Sequence, residues 1–579
     1  MDGLPLALDQ AGAYIEEQFL TLEEYQELFQ AEKAALLQER GQLDPDHPSV
    51  TVTFKLAFEK VAQQNAAAAD LLRVCALLAP DEIPEEIFSI GSAKLGKHLR
   101  QIRQSQSKFI KVISNFVSVL HRNRSGEVQA NNKLTLSKAI AEAARFSLIS
   151  RNPQTKTLTI HRLVQEVLRA EMDEESQKQW ASEVIEALGR VFPDVEKYEN
   201  WVQCDRVAAH AQAAAQLMAD YELASETAAW LLAATGYYFK EQGRYEEAEP
   251  IYLQALKMNQ QLLGQRHPHV AISLNNLAVL YKSQGRYEEA EPLYLQALEM
   301  RQQLLGKSHP QVATSLNNLA VLYKSQGRYE EAEPLYLQAL EMRQQLLGKS
   351  HPQVATSLNN LALLYDFQGR YEEAEPLYLQ ALEMRQQLLG QRHPQVATSL
   401  NNLALLYKSQ GRYEEAEPLY LQALEMFQQL LGKSHPAVAT SLNNLALLYK
   451  SQGRYEEAEP LYRQALEMRQ QLLGQRHPEV ATSLNNLASL YRDQGRYEEA
   501  EPLYRQALEM RHQLLGQRHP EVATSLNNLA SLYQSQGRYE AAEPLYQQAL
   551  AICEQILGPE HPHTQGVKGN LQNLLEKKG

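Results

Sequence analysis

Cysteine and long apolar runs are scarce in this sequence. The three cysteines, Cys75, Cys204 and Cys553, lie far apart and show none of the paired spacings of a zinc site or a disulfide framework. No apolar stretch approaches the ~20 residues that cross a bilayer, and the N-terminus lacks the basic start and apolar run of a signal peptide. These absences predict reduced core cysteines in a soluble, cytoplasmic protein.

Positive charge is also in short supply. The chain has 56 Lys and Arg residues against 70 Asp and Glu, which gives a net charge of -14. Nucleic acids and anionic membranes are bound through basic surfaces that displace counterions. We therefore expect neither nucleic acid nor membrane among the partners.

Motifs that carry chemistry are missing as well. The sequence has no nucleophile elbow and no metal-ligand spacing. The segment from Gly91 to His98 has the spacing of a phosphate-binding loop, but it lacks the final Ser or Thr that binds Mg²⁺ and no hydrophobic strand precedes it. We predict that the chain is not an enzyme and that it has no catalytic residue, metal or cofactor of its own.

What the sequence does contain is an internal repeat, which decides the fold. The pentad Gln-Gly-Arg-Tyr-Glu recurs every 42 residues, and its glycines are Gly243, Gly285, Gly327, Gly369, Gly411, Gly453, Gly495 and Gly537. With 579 residues, the chain is long enough for this repeat array and for at least one further domain.

Each repeat predicts two antiparallel helices. In one copy, Leu316, Leu319, Ala320 and Tyr323 form the apolar stripe of a first helix, helix A. Its start is marked by the sequence Ser-His-Pro, in which Ser or His can cap the helix and Pro fits the first turn. Glycine at position 327 ends helix A, and helix B runs over 329–347 with its own stripe of Ala, Leu and Tyr.

One helix pair cannot bury its apolar face alone, so the pairs must stack. The pattern predicts an all-α superhelical solenoid of eight 42-residue pairs over 225–558, followed by a C-terminal cap helix over 559–579. Both ends of the array depart from the consensus, as capping repeats do.

The repeat motifs, Ala-Thr-Ser-Leu-Asn-Asn-Leu-Ala, Gln-Gly-Arg-Tyr-Glu-Glu-Ala-Glu-Pro-Leu-Tyr and Leu-Leu-Gly-x-x-His-Pro, resemble the tetratricopeptide repeats of kinesin light chains and their bacterial relatives. The resemblance covers over half the chain. It implies that helix A lines a concave groove for extended peptides and that the paired asparagines contact the peptide backbone. The matching residues are Asn275, Asn276, Asn317, Asn318, Asn359, Asn360, Asn401, Asn402, Asn443, Asn444, Asn485, Asn486, Asn527 and Asn528.

Helical geometry supports this assignment independently. If the apolar stripe of helix A faces helix B, Thr314, Val321 and Ser325 point the opposite way and the asparagines flank them. An amide offers a donor and an acceptor, which suits a strand-like peptide. Basic residues border the same surface and favour an acidic ligand segment; they are Lys282, Lys324, Lys408, Lys450 and Arg492.

Two alternatives stay open for these residues. The asparagines could bond only to neighbouring helices and hold the repeats in register. The fourth pair has Asp366 and Phe367 where four other pairs have Lys and Ser, which could mark a local ligand anchor or sequence drift.

The region before the repeats carries a second resemblance. Gly3-Leu4-Pro5-Leu6 looks like the Gly-Leu-Pro-Leu motif of NB-ARC ATPases, the nucleotide switches of the STAND class. The segments 146–149, 157–160 and 161–165 look like the helix end, hairpin strand and closing helix of the winged-helix domain that follows in such proteins. We expect a truncated NB-ARC helical segment over 1–45, a winged-helix-like domain over 46–172 with an insertion near 96–136, and a helical linker over 173–224.

In that family the matching proline packs near adenine and the matching histidine approaches the β-phosphate of ADP, which points to Pro5 and His161. The phosphate-binding loop of the family would lie upstream of Gly3, so ADP or ATP would enter only through a separate or upstream nucleotide domain. A helix-capping role is the alternative for His161.

Two functions remain, and both use the groove. The first is a protein-protein interaction scaffold that binds extended peptide segments of partner proteins. The second is the ligand-sensing arm of a STAND switch whose ATPase core is missing from the chain or separate from it.

Overall fold

The computed structural model describes residues 5–40, 48–99 and 134–578. They are almost entirely helical, apart from one small sheet, which confirms the all-α prediction. The chain forms two compact units, Met1–Tyr238 with Ile251–Leu262, and Phe239–Pro250 with Leu263–Gly579. The division between the units therefore runs through the first helix pair.

The first unit begins with four helices, Pro5–Gln18, Leu22–Arg40, Pro48–Gln64 and Ala66–Ala76. A three-stranded antiparallel sheet follows, made of β1 (Ile83–Pro84), β2 (Ile149–Asn152) and β3 (Thr157–Ile160) in the order β1-β3-β2. Helices at 134–145 and Arg162–Ala170 flank the β2–β3 hairpin.

The hairpin region agrees with the sequence interpretation. Phe146 follows the first flanking helix and is fully buried, residues 157–160 form a strand, and the closing helix begins directly after His161. Most of the insertion expected near 96–136 lies outside the described residues. The linker expected over 173–224 contains the helices Glu174–Val191 and Trp201–Asp220.

The repeats form eight helix pairs and a final helix, as the period predicts. Helices A are Glu226–Glu241, Pro268–Ser283, Pro310–Ser325, Pro352–Phe367, Pro394–Ser409, Pro436–Ser451, Pro478–Asp493 and Pro520–Ser535. Helices B are Tyr245–Leu263, Tyr287–Leu305, Tyr329–Leu347, Tyr371–Leu389, Tyr413–Leu431, Tyr455–Leu473, Tyr497–Leu515 and Tyr539–Ile556. The final helix is Pro562–Lys578. We number the pairs 1 to 8 in chain order.

Small and large side chains alternate in the core of each pair. Ala332 and Ala339 of helix B in pair 3 are fully buried, which allows the helices to approach closely, and Tyr336 fills the adjacent space. Gly327 and Gly348 end the two helices of this pair at φ 73° and 85°, a region that favours glycine. The boundaries predicted from these glycines are confirmed.

Pairs that are six repeats apart also touch within the second unit. The imidazole Nε2 of His477 in pair 7 lies 3.0 Å from the carbonyl oxygen of Glu241, at the end of the first helix A. The Nε2 of His519 in pair 8 lies 3.3 Å from the carbonyl oxygen of Ser283 in pair 2. The array thus returns upon itself after six pairs, as a superhelix with contacting turns does.

No helix among the residues that the structure describes is both long and apolar enough to cross a membrane.

Candidate functional site

The paired asparagines of helix A form a hydrogen-bonded ladder along the repeats. The second asparagine of one pair donates from Nδ2 to the Oδ1 of the first asparagine in the preceding pair, as Asn318 does to Asn275 at 2.9 Å. The further rungs are Asn360 to Asn317, Asn402 to Asn359, Asn486 to Asn443, Asn528 to Asn485, and Asn570 of the final helix to Asn527. The final helix thus continues the ladder of the repeats.

The ladder has one break, at the junction of pairs 5 and 6. The Oδ1 of Asn401 is buried and has no hydrogen-bond partner, although Asn444 occupies the position that would donate to it. Each rung uses one N–H and one lone pair, whereas a primary amide has two of each. The ladder gives the register-keeping role a direct structural basis, and contact of the remaining amide groups with a peptide stays a prediction.

Lysines follow the ladder on the same helices, toward their C-terminal ends. Burial, together with the nearby charge of Lys282, lowers the pKa of Lys324 to about 8. Burial and the charge of Lys240 likewise lower the pKa of Lys282. The Nζ of Lys324 lies 4.7 Å from the ring centre of Phe367, which is 58% exposed. Pairs 2 and 3 thus hold stacked, partly desolvated cations beside an exposed aromatic ring.

The cations of the later pairs have acidic neighbours. The charge of Asp366 acts on Lys408 and opposes the effect of burial on its pKa. The Nζ of Lys450 lies 2.9 Å from Asp493 Oδ2, and Arg492 also pairs with this carboxylate. The basic edge predicted from the sequence is therefore uneven, because internal acids neutralise it only from pair 4 onward.

Helix B carries a row of buried arginines that were not among the residues predicted from the sequence. Arg301, Arg343, Arg385, Arg469 and Arg511 are 2% to 6% exposed, and each donates to a serine hydroxyl of the next helix A. The signal available in the sequence was the 42-residue recurrence of Met-Arg within helix B. In the sequence, however, each arginine is followed by polar residues, mostly glutamines, and a charged residue in such a polar segment is normally exposed.

The histidines before helix A are N-caps, as expected. The Nδ1 of His309 accepts the backbone N–H of Gln311 at 3.2 Å, and the other His-Pro histidines are placed equivalently. His161 caps its helix in the same way, through the N–H of Leu163 at 3.2 Å. The structure thus shows His161 as a helix cap, and its role in nucleotide sensing stays a prediction.

The other expected nucleotide-related residues lie as follows. Pro5 is the first residue of its helix. In the segment 91–98, the backbone N–H of Gly96 donates to Glu183 at 2.7 Å and that of His98 donates to Asp70 at 3.0 Å. These backbone N–H groups are thus already hydrogen-bonded to carboxylates, whereas a phosphate-binding loop would offer them to its ligand. Among the described residues, no group of three or more His, Cys, Asp and Glu side chains could hold a metal ion.

Comparison with known families finds tetratricopeptide repeats along the array. They match residues 226–303, 270–345, 311–387, 395–471, 438–513, 479–555 and 521–564, and a second tetratricopeptide repeat family matches 359–430. Residues 56–177 match a domain of unknown function, DUF7779.

A sequence relative is a nucleotide-binding leucine-rich repeat (NLR)-like protein of Hyaloscypha variabilis. It is 35% identical over 286 residues, which are 48% of this chain and 25% of the relative. The match therefore spans about a quarter of that relative's length.

Solved structures that the comparison matched include a Podosopora anserina putative kinesin light chain with nearly identical TPR-like repeats. It is 30% identical, with a TM-score of 0.31, over 35% of this chain and 97% of that one. A STAND protein with a tetratricopeptide repeat sensor, from Pyrococcus horikoshii, is 16% identical with a TM-score of 0.46, over 99% of this chain and 75% of that one.

The repeat matches span more than half of the sequence, and they coincide with the eight helix pairs, of which pairs 2 to 8 carry the asparagine ladder. The chain belongs to the tetratricopeptide repeat family, and its repeats resemble those of kinesin light chains.

Proposed function

We propose that the helix A face of the array is a scaffold that binds extended peptide segments of partner proteins, with a preference for acidic segments. Tetratricopeptide repeats typically bind proteins, on the extended concave surfaces that stacked helix pairs create. The observation that carries the proposal is the row of asparagine amides along helix A of pairs 2 to 8, beside the desolvated Lys282 and Lys324.

The chemistry of this row fits an extended peptide. A peptide strand has unpaired backbone donors and acceptors, and each ladder asparagine keeps amide capacity that its rung does not use. Burial disfavours the charged forms of Lys282 and Lys324, so a ligand carboxylate beside them would restore electrostatic stabilisation. Acidic residues of a ligand should therefore bind toward pairs 2 and 3.

The break in the ladder allows an experiment to distinguish two roles of the asparagines, contact with the ligand and maintenance of the repeat register. Asn401→Ala removes an amide whose Oδ1 has no partner, whereas the matched variant Asn359→Ala removes the acceptor of Asn402. If the amides contact the ligand, Asn401→Ala weakens peptide binding at unchanged stability. Asn359→Ala should in addition cost about 1 kcal/mol of stability. The measurements are peptide affinity by calorimetry and thermal unfolding by circular dichroism.

A fourfold variant tests the groove as a whole. We expect replacement of Asn359, Asn360, Asn401 and Asn402 by alanine to weaken ligand binding while the fold survives. Unchanged affinity in this variant would assign the asparagines to register keeping alone.

The second candidate is the sensing arm of a STAND switch. It is favoured by the sequence relationship to an NLR-like protein, whose name includes a nucleotide-binding part. We expect this chain alone to show neither ATP hydrolysis nor tight ADP binding. Calorimetry that finds micromolar affinity for ADP would contradict the scaffold-only function and the proposed absence of enzymatic activity.

We further infer a reducing, cytoplasmic setting from the cysteines. All three are free and buried, and burial raises the pKa of Cys204 and of Cys553 to about 11. Such thiols are protonated and unreactive at neutral pH. Labelling of the native protein with a thiol reagent should be slow, and rapid labelling would contradict this assignment.

A further inference from the structure

The buried arginines of helix B occupy equivalent places at five junctions between pairs. The Nη1 of Arg343 donates to the Ser357 hydroxyl at 2.7 Å and to the Gln353 carbonyl at 3.4 Å, both in the first turns of the next helix A. Arg301, Arg385, Arg469 and Arg511 make the same two contacts. Each guanidinium is thus held against the N-terminal turns of a helix, where the helix dipole is positive.

Two of these five arginines have a carboxylate partner within the chain. The Nη2 of Arg469 lies 2.8 Å from Glu479, and that of Arg511 lies 2.6 Å from Glu521. Both glutamates are the second residue of the following helix A. The position beside the guanidinium therefore accepts a carboxylate in this fold.

The other three arginines lack this partner. Arg301, Arg343 and Arg385 are followed by Gln311, Gln353 and Gln395, where the later pairs have glutamate. Among the described residues, no carboxylate forms an ion pair with these three arginines, and the Nε of each is buried without a hydrogen-bond partner. The same buried arginine therefore has a glutamate partner in the later repeats and no carboxylate partner in the earlier ones.

The electrostatics of the two groups differ accordingly. Burial lowers the pKa of Arg343, and no nearby acid opposes it. For Arg469, burial has the same effect but the charge of Glu479 opposes it. A buried guanidinium without an anion is unfavourable, and one charged partner with good geometry offsets much of that cost.

The open positions can be reached from solvent. The carboxylates that fill the later positions belong to side chains that are 50% and 49% exposed, and Gln311, Gln353 and Gln395 are exposed as well. On the helix, Gln353 shares a face with Asn360, seven residues further on. The arginine sites therefore open onto the surface that carries the asparagine ladder.

We propose that Arg301, Arg343 and Arg385 form three successive sites for side-chain carboxylates of an acidic peptide. The peptide supplies at these junctions the anion that Glu479 and Glu521 supply in later pairs. The row ends at pair 5, where Phe427 replaces the arginine and Ala437 follows it. This inference rests on the proposed peptide-binding function and names the side chains that the bound segment carries.

The test uses the full chain and a fluorescent dodecamer of glutamate as the probe, with oligoglutamine for comparison. In the variant Q311E/Q353E/Q395E, internal carboxylates fill the three sites. Its affinity for oligoglutamate should fall at least tenfold, as expected for lost charged hydrogen bonds. Its thermal midpoint without peptide should rise, because three buried cations gain partners.

The matched control Q296E/Q338E/Q380E adds the same three charges at exposed glutamines of helix B. Its affinity for oligoglutamate should stay within about twofold of the wild type, since distant exposed charges are screened by salt. Equal losses in the two triple variants would overturn the proposal, because they would show a general charge effect.

A second variant separates the arginines from the lysines of helix A. R301M/R343M/R385M replaces the cations by apolar side chains, which the position accepts, as Phe427 shows. Its affinity for oligoglutamate should fall at least tenfold in a folded protein. Unchanged affinity would mean that the lysines of helix A bind the acidic peptide and that the three arginines do not.

The outcomes also distinguish this inference from the function on which it rests. Wild-type protein that binds oligoglutamine as tightly as oligoglutamate, or that selects only neutral peptides from a displayed library, still binds peptides but has no carboxylate sites. Protein that selects no peptide at all contradicts the groove function itself.

Discussion

At the scale of single residues, His519 makes two hydrogen bonds with one neutral ring. Its Nδ1 accepts the N–H of Glu521 at 3.0 Å, and its Nε2 lies 3.3 Å from the carbonyl oxygen of Ser283. Both contacts are satisfied only by the tautomer with the proton on Nε2. A second proton on Nδ1 would remove the helix cap.

The titration of His519 should therefore make the protein acid-sensitive. Burial lowers its pKa to about 4, against the opposing charge of Glu521. The unfolded chain takes up a proton as the pH falls below about 6.5, while the folded chain stays neutral until about pH 4. Stability conferred by the neutral ring is complete above pH 6.5 and is lost between these two values.

We expect unfolding experiments in urea to show this loss in the wild type, at most about 3 kcal/mol for this one group. His519→Asn keeps a capping acceptor but cannot titrate, so its stability should depend less on pH in the same window. A variant with an unchanged pH profile would show that this histidine does not govern the acid response.

The burial of Arg301 and its equivalents is a residue-level feature that the sequence could not predict. The asparagine pairs could be located from the sequence, because their helical spacing places them beside the groove face. The buried arginines could not, because their burial depends on Ser315 and its counterparts in the next pair, which no local pattern connects to them.

At the scale of elements, one arginine per repeat ties three helices together. Arg370 follows helix A of pair 4; its Nη1 donates to Glu333 of the preceding helix B at 2.7 Å and its Nε donates to Glu373 of its own helix B at 2.7 Å. The guanidinium also lies 4.0 Å from the ring centre of Tyr365, whose hydroxyl donates to Glu333. The same arrangement recurs at Arg286, Arg328, Arg412, Arg454 and Arg496.

This contact predicts coupling between neighbouring pairs. Replacement of Arg370 by Ala and of Glu333 by Ala should destabilise the array less than additively, with a coupling energy of roughly 1 kcal/mol. Arg370→Lys should restore little of it, because lysine lacks the planar fork and the stacking on Tyr365. Double-mutant cycles by thermal unfolding measure the coupling, and strictly additive effects would mean that the arginine acts within its own pair only.

Element boundaries were well predicted, for a physical reason. The Gly-Arg-Tyr turn and the His-Pro start are local signals, since glycine accepts positive φ and proline fits a first turn. The three-stranded sheet was anticipated only at its hairpin. β1 is only two residues long and pairs with β3, which lies far along the chain beyond β2, so no sequence period announces it.

At the scale of the whole repeat array, contact between turns distinguishes some pentad glycines from others. A Cβ on Gly285 would lie 2.8 Å from the His519 ring, and one on Gly327 would lie still closer to His561. A Cβ on Gly411 would meet nothing within 4 Å, although the φ angles of Gly285 and Gly411 are alike at 71° and 76°.

Gly285→Ala and Gly411→Ala therefore form a matched pair of variants. Both should cost a similar amount of about 1 kcal/mol for the strained backbone. Only Gly285→Ala should also separate pair 2 from pair 8. Spin labels on exposed residues of these two pairs, measured by pulsed electron resonance, should show a longer or broader distance distribution in that variant alone. Identical distributions in both variants would show that the turns do not depend on this contact.

By itself, the sequence determined the repeat, the helix boundaries, the caps and the face that carries the asparagines, because each depends on spacing within a few helical turns. The tertiary structure decided which amides bond to each other, which cations lack an acid and which pairs meet across a turn of the superhelix. These features join residues from 14 to 236 positions apart, such as Arg301 to Ser315 and His519 to Ser283. Only packing brings such residues together, since burial and charge pairing depend on neighbours in space.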